Sequence, residues 1–142
     1  MATNCRFAFA VHVLSVLATH PDEILSSDFL AKSANTNPVV IRRLLLELRE
    51  AGLVETTRGP SGGTRLAKPS AKISLLDIHL AAAGKVEPFG SHPNEPAKAC
   101  CVGREIKRVL EGVSKRARDA VEKEYATISL GEVVRQMQTP EL

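Results

Sequence analysis

NPVVIRRLLLELREAGLVETTRGPSGGTRLAKP, residues 37 to 69, changes its period halfway along, and that change decides the kind of fold. The first half reads as a helix. Asn37 stands where an N-cap is wanted, Pro38 takes the first helical position, and Gly52 sits where a left-handed residue closes a helix. Ile41, Leu44, Leu45 and Leu48 recur at i, i+3, i+4 and i+7 and form one apolar face. Val39, Val40, Arg42 and Arg43 lie at or near the exposed N-terminal end, and two apolar side chains beside two arginines suit an element that enters a groove. After Gly52 the pattern becomes that of strands: LVETT and TRLA are rich in β-branched residues, with GPSGG between them too flexible for either. The pair reads as a β-hairpin with a glycine-rich tip flanked by Arg58 and Arg65.

A phosphate cradle and a linker are the competing readings of that tip. A Walker-type loop needs a lysine after the last glycine and then a helix, but Thr64 follows Gly63. The glycine spacing is also wrong for a dinucleotide fingerprint, and no helix opens after it. A linker is disfavoured because both flanking strands are short and need partners.

Upstream, residues 5 to 19 carry Phe7, Val11, Leu14 and Leu17 or Ala18 at helical spacing, and His20-Pro21 stops that helix. SSDFLAKSAN offers Ser26 or Ser27 as the cap of a short second helix ending near Asn35. The order helix, helix, helix, strand, basic glycine-rich tip, strand is that of a winged helix-turn-helix domain. There the last of the three helices presents its N-terminal residues to base edges in the major groove. The hairpin is the wing, whose arginine reaches the minor groove. Between Thr36 and Lys68, six cations (Arg42, Arg43, Arg49, Arg58, Arg65, Lys68) face three anions (Glu47, Glu50, Glu55), a local excess that the net charge of +3 conceals.

The whole chain is conventional in make-up. Its 142 residues, 44% apolar and 25% charged, suffice for a core without disulfides or a structural metal. The apolar start is interrupted by His12 and Ser15, lacks the marks of a signal segment and is too short to span a bilayer, which points to a cytoplasmic protein. His12, His20, His79 and His92 enter no recognisable catalytic pattern with the cysteines, and no enzyme or cofactor motif is present.

Downstream, ISLLDIHLAAAG (73–84) is a fourth helix with Ser74 as cap and Gly84 as stop. His79 on it reads as a packed or surface residue. KVEPFGSHPNEPAKACC is a long aperiodic loop, of a length that usually has a purpose. From Val102 the pattern is helical for about two dozen residues. Ile106, Leu110, Val113, Ala117 and Ala120 recur at spacings of four, three, four and three, a narrow stripe suited to a helix-helix interface between subunits. SLGEVVRQM closes the chain as a short helix capped by Ser129. The expected fold is mainly α with one small β-hairpin. A DNA-binding unit over residues 1–70 precedes a regulatory loop and dimerisation helices over 71–142.

The stretch from Asn37 to Ile78, with Ala51-Gly-Leu-Val, the wing Arg58-Gly-Pro-x-Gly-Gly and the helix start Ile73-x-Leu-x-Asp-Ile, resembles the signature region of the Rrf2 family of bacterial transcription regulators. The resemblance runs over nearly the whole chain. It implies a homodimer of winged-helix subunits on double-stranded DNA, at a near-palindromic operator, usually as a repressor. It places base contacts on Val39, Val40, Arg42 and Arg43 and wing contacts on Arg58, Ser61, Gly62 and Gly63. Many members carry Ser or Tyr where this chain has Val39 and Val40, and valines favour a thymine methyl over hydrogen-bonded readout.

The family includes iron-sulfur sensors with three cysteines between the fourth and dimer helices. This loop holds only the adjacent Cys100 and Cys101, so the ligand count falls short and no metal or cofactor is expected. Two readings of the thiols stay open. Cys100 lies close to the positive N-terminal end of the dimer helix, a setting that favours oxidation, and a disulfide with Cys5, within or between subunits, would reposition the DNA-binding units. Alternatively the three cysteines are incidental. An iron-sulfur sensor and a winged-helix module that binds protein instead of DNA are the alternative functions. Nothing in the residues identifies the effector.

Overall fold

The computed structural model describes residues 5–138, folded as α1 (Cys5–Thr19), α2 (Ser27–Ser33), α3 (Pro38–Glu50), β1 (Val54–Thr57), β2 (Gly63–Leu66), a 3-10 turn (Ser70–Lys72), α4 (Leu75–Ala83), α5 (Cys101–Thr127) and α6 (Leu130–Gln138). Local chemistry sets most of these boundaries. Ser26, rather than Ser27, caps α2 by accepting from the Phe29 amide at 3.1 Å, and Asn37 caps α3 by accepting from the Val39 amide at 2.8 Å. Ser74 and Asp77 form a reciprocal capping box on α4, each bond 3.0 Å long. Both α2 and α3 end in the same closing motif. Asn35 and Gly52 adopt φ of 52° and 78°, and the next amide, of Thr36 or Leu53, reaches back to Ala31 O or Leu48 O.

β1 and β2 pair antiparallel with Val54 opposite Leu66 and Thr57 opposite Gly63, which is the hairpin expected from sequence. A third edge was not expected. Leu25, in the turn before α2, exchanges two backbone hydrogen bonds with Thr64, of 2.9 and 2.8 Å, and so fixes the wing to the helix-turn-helix.

One core holds the molecule together. Leu14, Leu17, Leu30, Ile41, Leu44 and Leu48 are almost fully buried, and the same cluster takes in Ile73 and Ile78 before and within α4 and Leu130 and Val134 from α6. The expected division into residues 1–70 and 71–142 therefore cuts through this core. Backbone bonds from Leu75 N to Ile128 O and from Leu130 N to Ile73 O stitch the C-terminal helix onto the same unit. The face of α1 also differs from expectation. Ala10, Val13, Leu14, Ser15 and Leu17 are buried while Phe7 and Val11 are half-buried, because α4, α6 and α3 cover the helix from several sides.

The 27-residue α5, about 40 Å long, starts at Cys101, one residue earlier than the sequence suggests, and none of its side chains is fully buried. Residues 85–100 form a strap along it. Arg118 Nε donates to Val86 O at 2.8 Å, Lys107 pairs with Glu95, and Arg104 donates to Lys98 O at 2.9 Å. Later strap residues meet earlier helix residues, so the strap runs antiparallel to α5. Gly103 lets it close, since a Cβ there would lie 2.0 Å from Ala97 O.

Candidate nucleic-acid interface

The outward face of α3 and the wing stand side by side. Val39, Val40, Arg42, Arg43 and Leu46 are all exposed, Val39 at 54% and Leu46 at 56%, an unusual amount of apolar surface for a helix otherwise well packed. A groove of about 290 Å³ between helix and wing is lined by Arg42, Leu46, Arg49, Thr56 and Thr57. Arg49 spans it, donating to Thr56 Oγ1 at 3.3 Å. Sequence reasoning counted Arg49 only as part of a charge excess. Its position in the last turn of α3, just ahead of the strand that follows, was the available signal.

The expected cations divide into two kinds. Arg42 is turned back onto α2, with Ser27 Oγ at 3.1 Å and the Asp28 carboxylate at 3.4 Å. Arg65 lies 3.2 Å from Glu55 across the hairpin. Among the described residues, Arg43 and Arg58 have no hydrogen-bond or ion-pair partner. They stand in the second turn of α3 and directly after β1 at the start of the wing loop. Exposed pairs such as those of Arg42 and Arg65 hold their charge by roughly 0 to 1 kcal/mol, so a phosphate would displace either carboxylate at little cost.

The wing glycines have a steric task of their own. A Cβ at Gly62 would lie 2.1 Å from Thr57 O, and one at Gly63 would lie 2.5 Å from Leu25 O. Both are half-buried, whereas Arg58, Pro60 and Ser61 are exposed at the tip. The family resemblance placed wing contacts on both glycines. In the structure they let the hairpin close on itself and on Leu25.

α5 carries two apolar faces. Leu110 turns toward the strap, where it lines a cavity of about 580 Å³ with Phe89 and Arg118. The open stripe consists of Val102, Val109 and Val113, exposed at 60, 47 and 45%, with Ile106, Ala117 and Ala120 between and beyond them. Val102 and Val109 were missing from the expected seam, and Leu110 sits at its edge. The strap, invisible in the helical pattern, is what claims Leu110.

All three cysteines are exposed, but they do not meet within one chain. Phe7 stacks on Tyr125 with ring centroids 5.4 Å apart, so Cys5 lies beside the far end of α5. Cys101 begins that helix 24 residues earlier, about 36 Å away at 1.5 Å per residue. A disulfide needs Cα atoms within about 7 Å, and the expected within-subunit bond between Cys5 and the pair is therefore excluded. The described residues hold no group of three or more metal-ligating side chains, and two adjacent thiols do not fit an iron-sulfur cluster in a single chain. His79 is packed, its Nδ1 donating to Gly84 O at 2.8 Å and its ring lying 5.0 Å from that of Phe7.

The family model for Rrf2, described as an iron-dependent transcriptional regulator, matches residues 3–136. YwnA of Bacillus subtilis, which is named as a helix-turn-helix-type transcriptional regulator, is 39% identical over 131 residues, 92% of this chain and 96% of its own. Among solved structures, a transcriptional regulator from Lactobacillus plantarum aligns with a TM-score of 0.80 and 26% identity, covering 95% of this chain and 91% of that one. CymR, the global cysteine regulator of B. subtilis, shares the fold at 24% identity with a TM-score of 0.68, over 92% and 94% of the two chains. No described helix is long and apolar enough to cross a membrane. With the winged helix-turn-helix and a whole-length family match both in hand, the chain belongs to the Rrf2 family of DNA-binding transcription regulators.

Proposed function

We propose that the protein is a cytoplasmic, dimeric repressor that reads a near-palindromic operator and has no catalytic activity. The N-terminal turn of α3 enters the major groove. Val39 and Val40 pack on thymine methyl groups there, and Arg43 reaches a base edge or phosphate. The wing tip follows the backbone into the adjacent minor groove with Arg58 leading, while Arg42, Arg49 and Arg65 exchange their protein partners for phosphates. The observation that carries this reading is a pair of cations without a partner among the described residues, Arg43 in the second turn of α3 and Arg58 at the start of the wing loop.

Two copies join through the open stripe of α5. It is apolar, exposed and continuous from Val102 to Ala120, and it is separate from the strap face. Symmetric subunits on DNA read symmetric half-sites, so selection of tight-binding duplexes from a random pool tests the proposal. The expected consensus has two inverted half-sites spaced by about one helical turn or a multiple of it. A selected consensus without two-fold symmetry, or no enrichment at all, would overturn it.

A further inference from the structure

We propose that the cavity at the root of the strap is an effector site for a small aromatic carboxylate. The ligand lowers duplex affinity by drawing Arg6 away from Glu47, and this inference rests on the reading of DNA by Arg43 proposed above. The cavity measures about 980 Å³ and lies between the first turn of α1, the end of α4, the start of the strap and the last two turns of α5. It is large enough for a small organic molecule.

Rings form one wall. The Phe7 ring centroid lies 5.4 Å from that of Tyr125 and 5.0 Å from that of His79, and the last two lie 5.9 Å apart. All three line the cavity, as does Phe89 of the strap, and such a surface takes a flat ring by stacking. An aromatic wall also attracts cations, so the charge of the lining decides between them. Arg6 and Lys85 stand there against Glu87, and Lys85 has no ion-pair partner among the described residues. This excess favours an anion. A ring that bears a carboxylate meets both demands, with Arg6 and Lys85 as partners of the carboxylate.

Arg6 connects the cavity to the reading helix. Its guanidinium pairs with Glu47 of α3, and its Nε donates to Ala82 O of α4 at 2.8 Å. The side chains of Arg6 and Glu47 are 35% and 37% exposed, and a pair so open to solvent is held weakly. A ligand carboxylate therefore displaces Glu47 from Arg6. Glu47 lies four residues after Arg43 on the same helix, the spacing at which side chains meet. Once released, it pairs with Arg43, which otherwise has no partner among the described residues, and neutralises the charge that α3 offers to DNA.

The chain has one tyrosine and no tryptophan, so its intrinsic emission comes from Tyr125 in the cavity wall. The test titrates the full-length protein with 2-naphthoate, followed by Tyr125 emission and by calorimetry. Affinity for a duplex selected by wild type is then measured with and without the naphthoate. Saturable binding is expected, with uncharged 2-naphthamide bound about tenfold more weakly. Saturating 2-naphthoate should lower duplex affinity by about 5- to 150-fold, and the duplex should weaken naphthoate binding by the same factor. Lys85→Ala is expected to bind the duplex normally and 2-naphthoate about tenfold more weakly. Glu47→Gln should bind both and lose the response. Absence of naphthoate binding, or equal binding of the amide, would overturn the site. Binding that leaves duplex affinity unchanged, or a response that persists in Glu47→Gln, would overturn the link to α3. Failure to select any duplex, with 2-naphthoate still bound, would leave the site standing and overturn both the link and the reading of DNA.

Discussion

Replacing Gly63 by alanine adds one methyl group at the tightest point between wing and helix-turn-helix. Its Cβ would lie 2.5 Å from Leu25 O, 2.7 Å from Leu25 C and 2.8 Å from Ile24 Cγ2. Two of those three atoms are backbone, so no rotamer change relieves the overlap. The wing must lift away from Leu25, and the two backbone hydrogen bonds between Leu25 and Thr64 go with it. At about 1 kcal/mol net for each bond, plus about 1 to 2 kcal/mol of residual overpacking, the expected loss is about 3 to 4 kcal/mol. That is a large share of the roughly 5 to 15 kcal/mol that such domains possess. Urea unfolding followed by circular dichroism measures the loss, and hydrogen exchange should place it at the Leu25 and Thr64 amides. Gly112→Ala is the matched control, because nothing lies within 4 Å of a Cβ there, and it is expected to be neutral or stabilising by up to about 1 kcal/mol. If Gly63→Ala unfolds within about 0.5 kcal/mol of wild type, the inferred steric role of the wing glycines is wrong.

Val113→Asp places a carboxylate at the centre of the proposed seam, facing its own copy, and is expected to give a folded monomer by sedimentation; a stable dimer would move the interface elsewhere. Arg118→Ala removes the 2.8 Å bond to Val86 O that ties the strap to α5. Limited proteolysis should then cut within residues 85–100 faster than in wild type with the melting temperature little changed, and an unchanged cleavage rate would show that the other tethers suffice.

Much of the fold was legible because capping chemistry is local. Asn37-Pro38, Ser74 with Asp77, and Gly52 each state a helix boundary within a few residues, and each is observed where the residues place it. What was missed depends on distant partners. Leu25 forms a one-residue bridge to Thr64, too short to leave any alternation in sequence. The strap is held by arginines bonding to backbone carbonyls at Val86 and Lys98, and carbonyls carry no residue signature. Periodicity could not separate Leu110 from Val109 on α5, because either fits a stripe of alternating threes and fours until the strap covers one of them. The candidate interface shows the same limit. Composition found the cations, but only side-chain geometry distinguishes Arg42 and Arg65, which have carboxylate partners, from Arg43 and Arg58, which have none among the described residues.

The most direct test of DNA reading by α3 and the wing is duplex affinity of the Arg43→Ala, Arg58→Ala double variant across a salt series, using a duplex selected by wild type. Both side chains are exposed and unpartnered among the described residues, so the variant should melt with wild type. The expected result is loss of duplex binding at physiological salt. At low salt, any residual binding should show a shallower dependence of log K on log salt, by about 0.9 for each phosphate that the variant no longer neutralises. Wild-type affinity with an unchanged salt slope would contradict the assignment of this face to DNA.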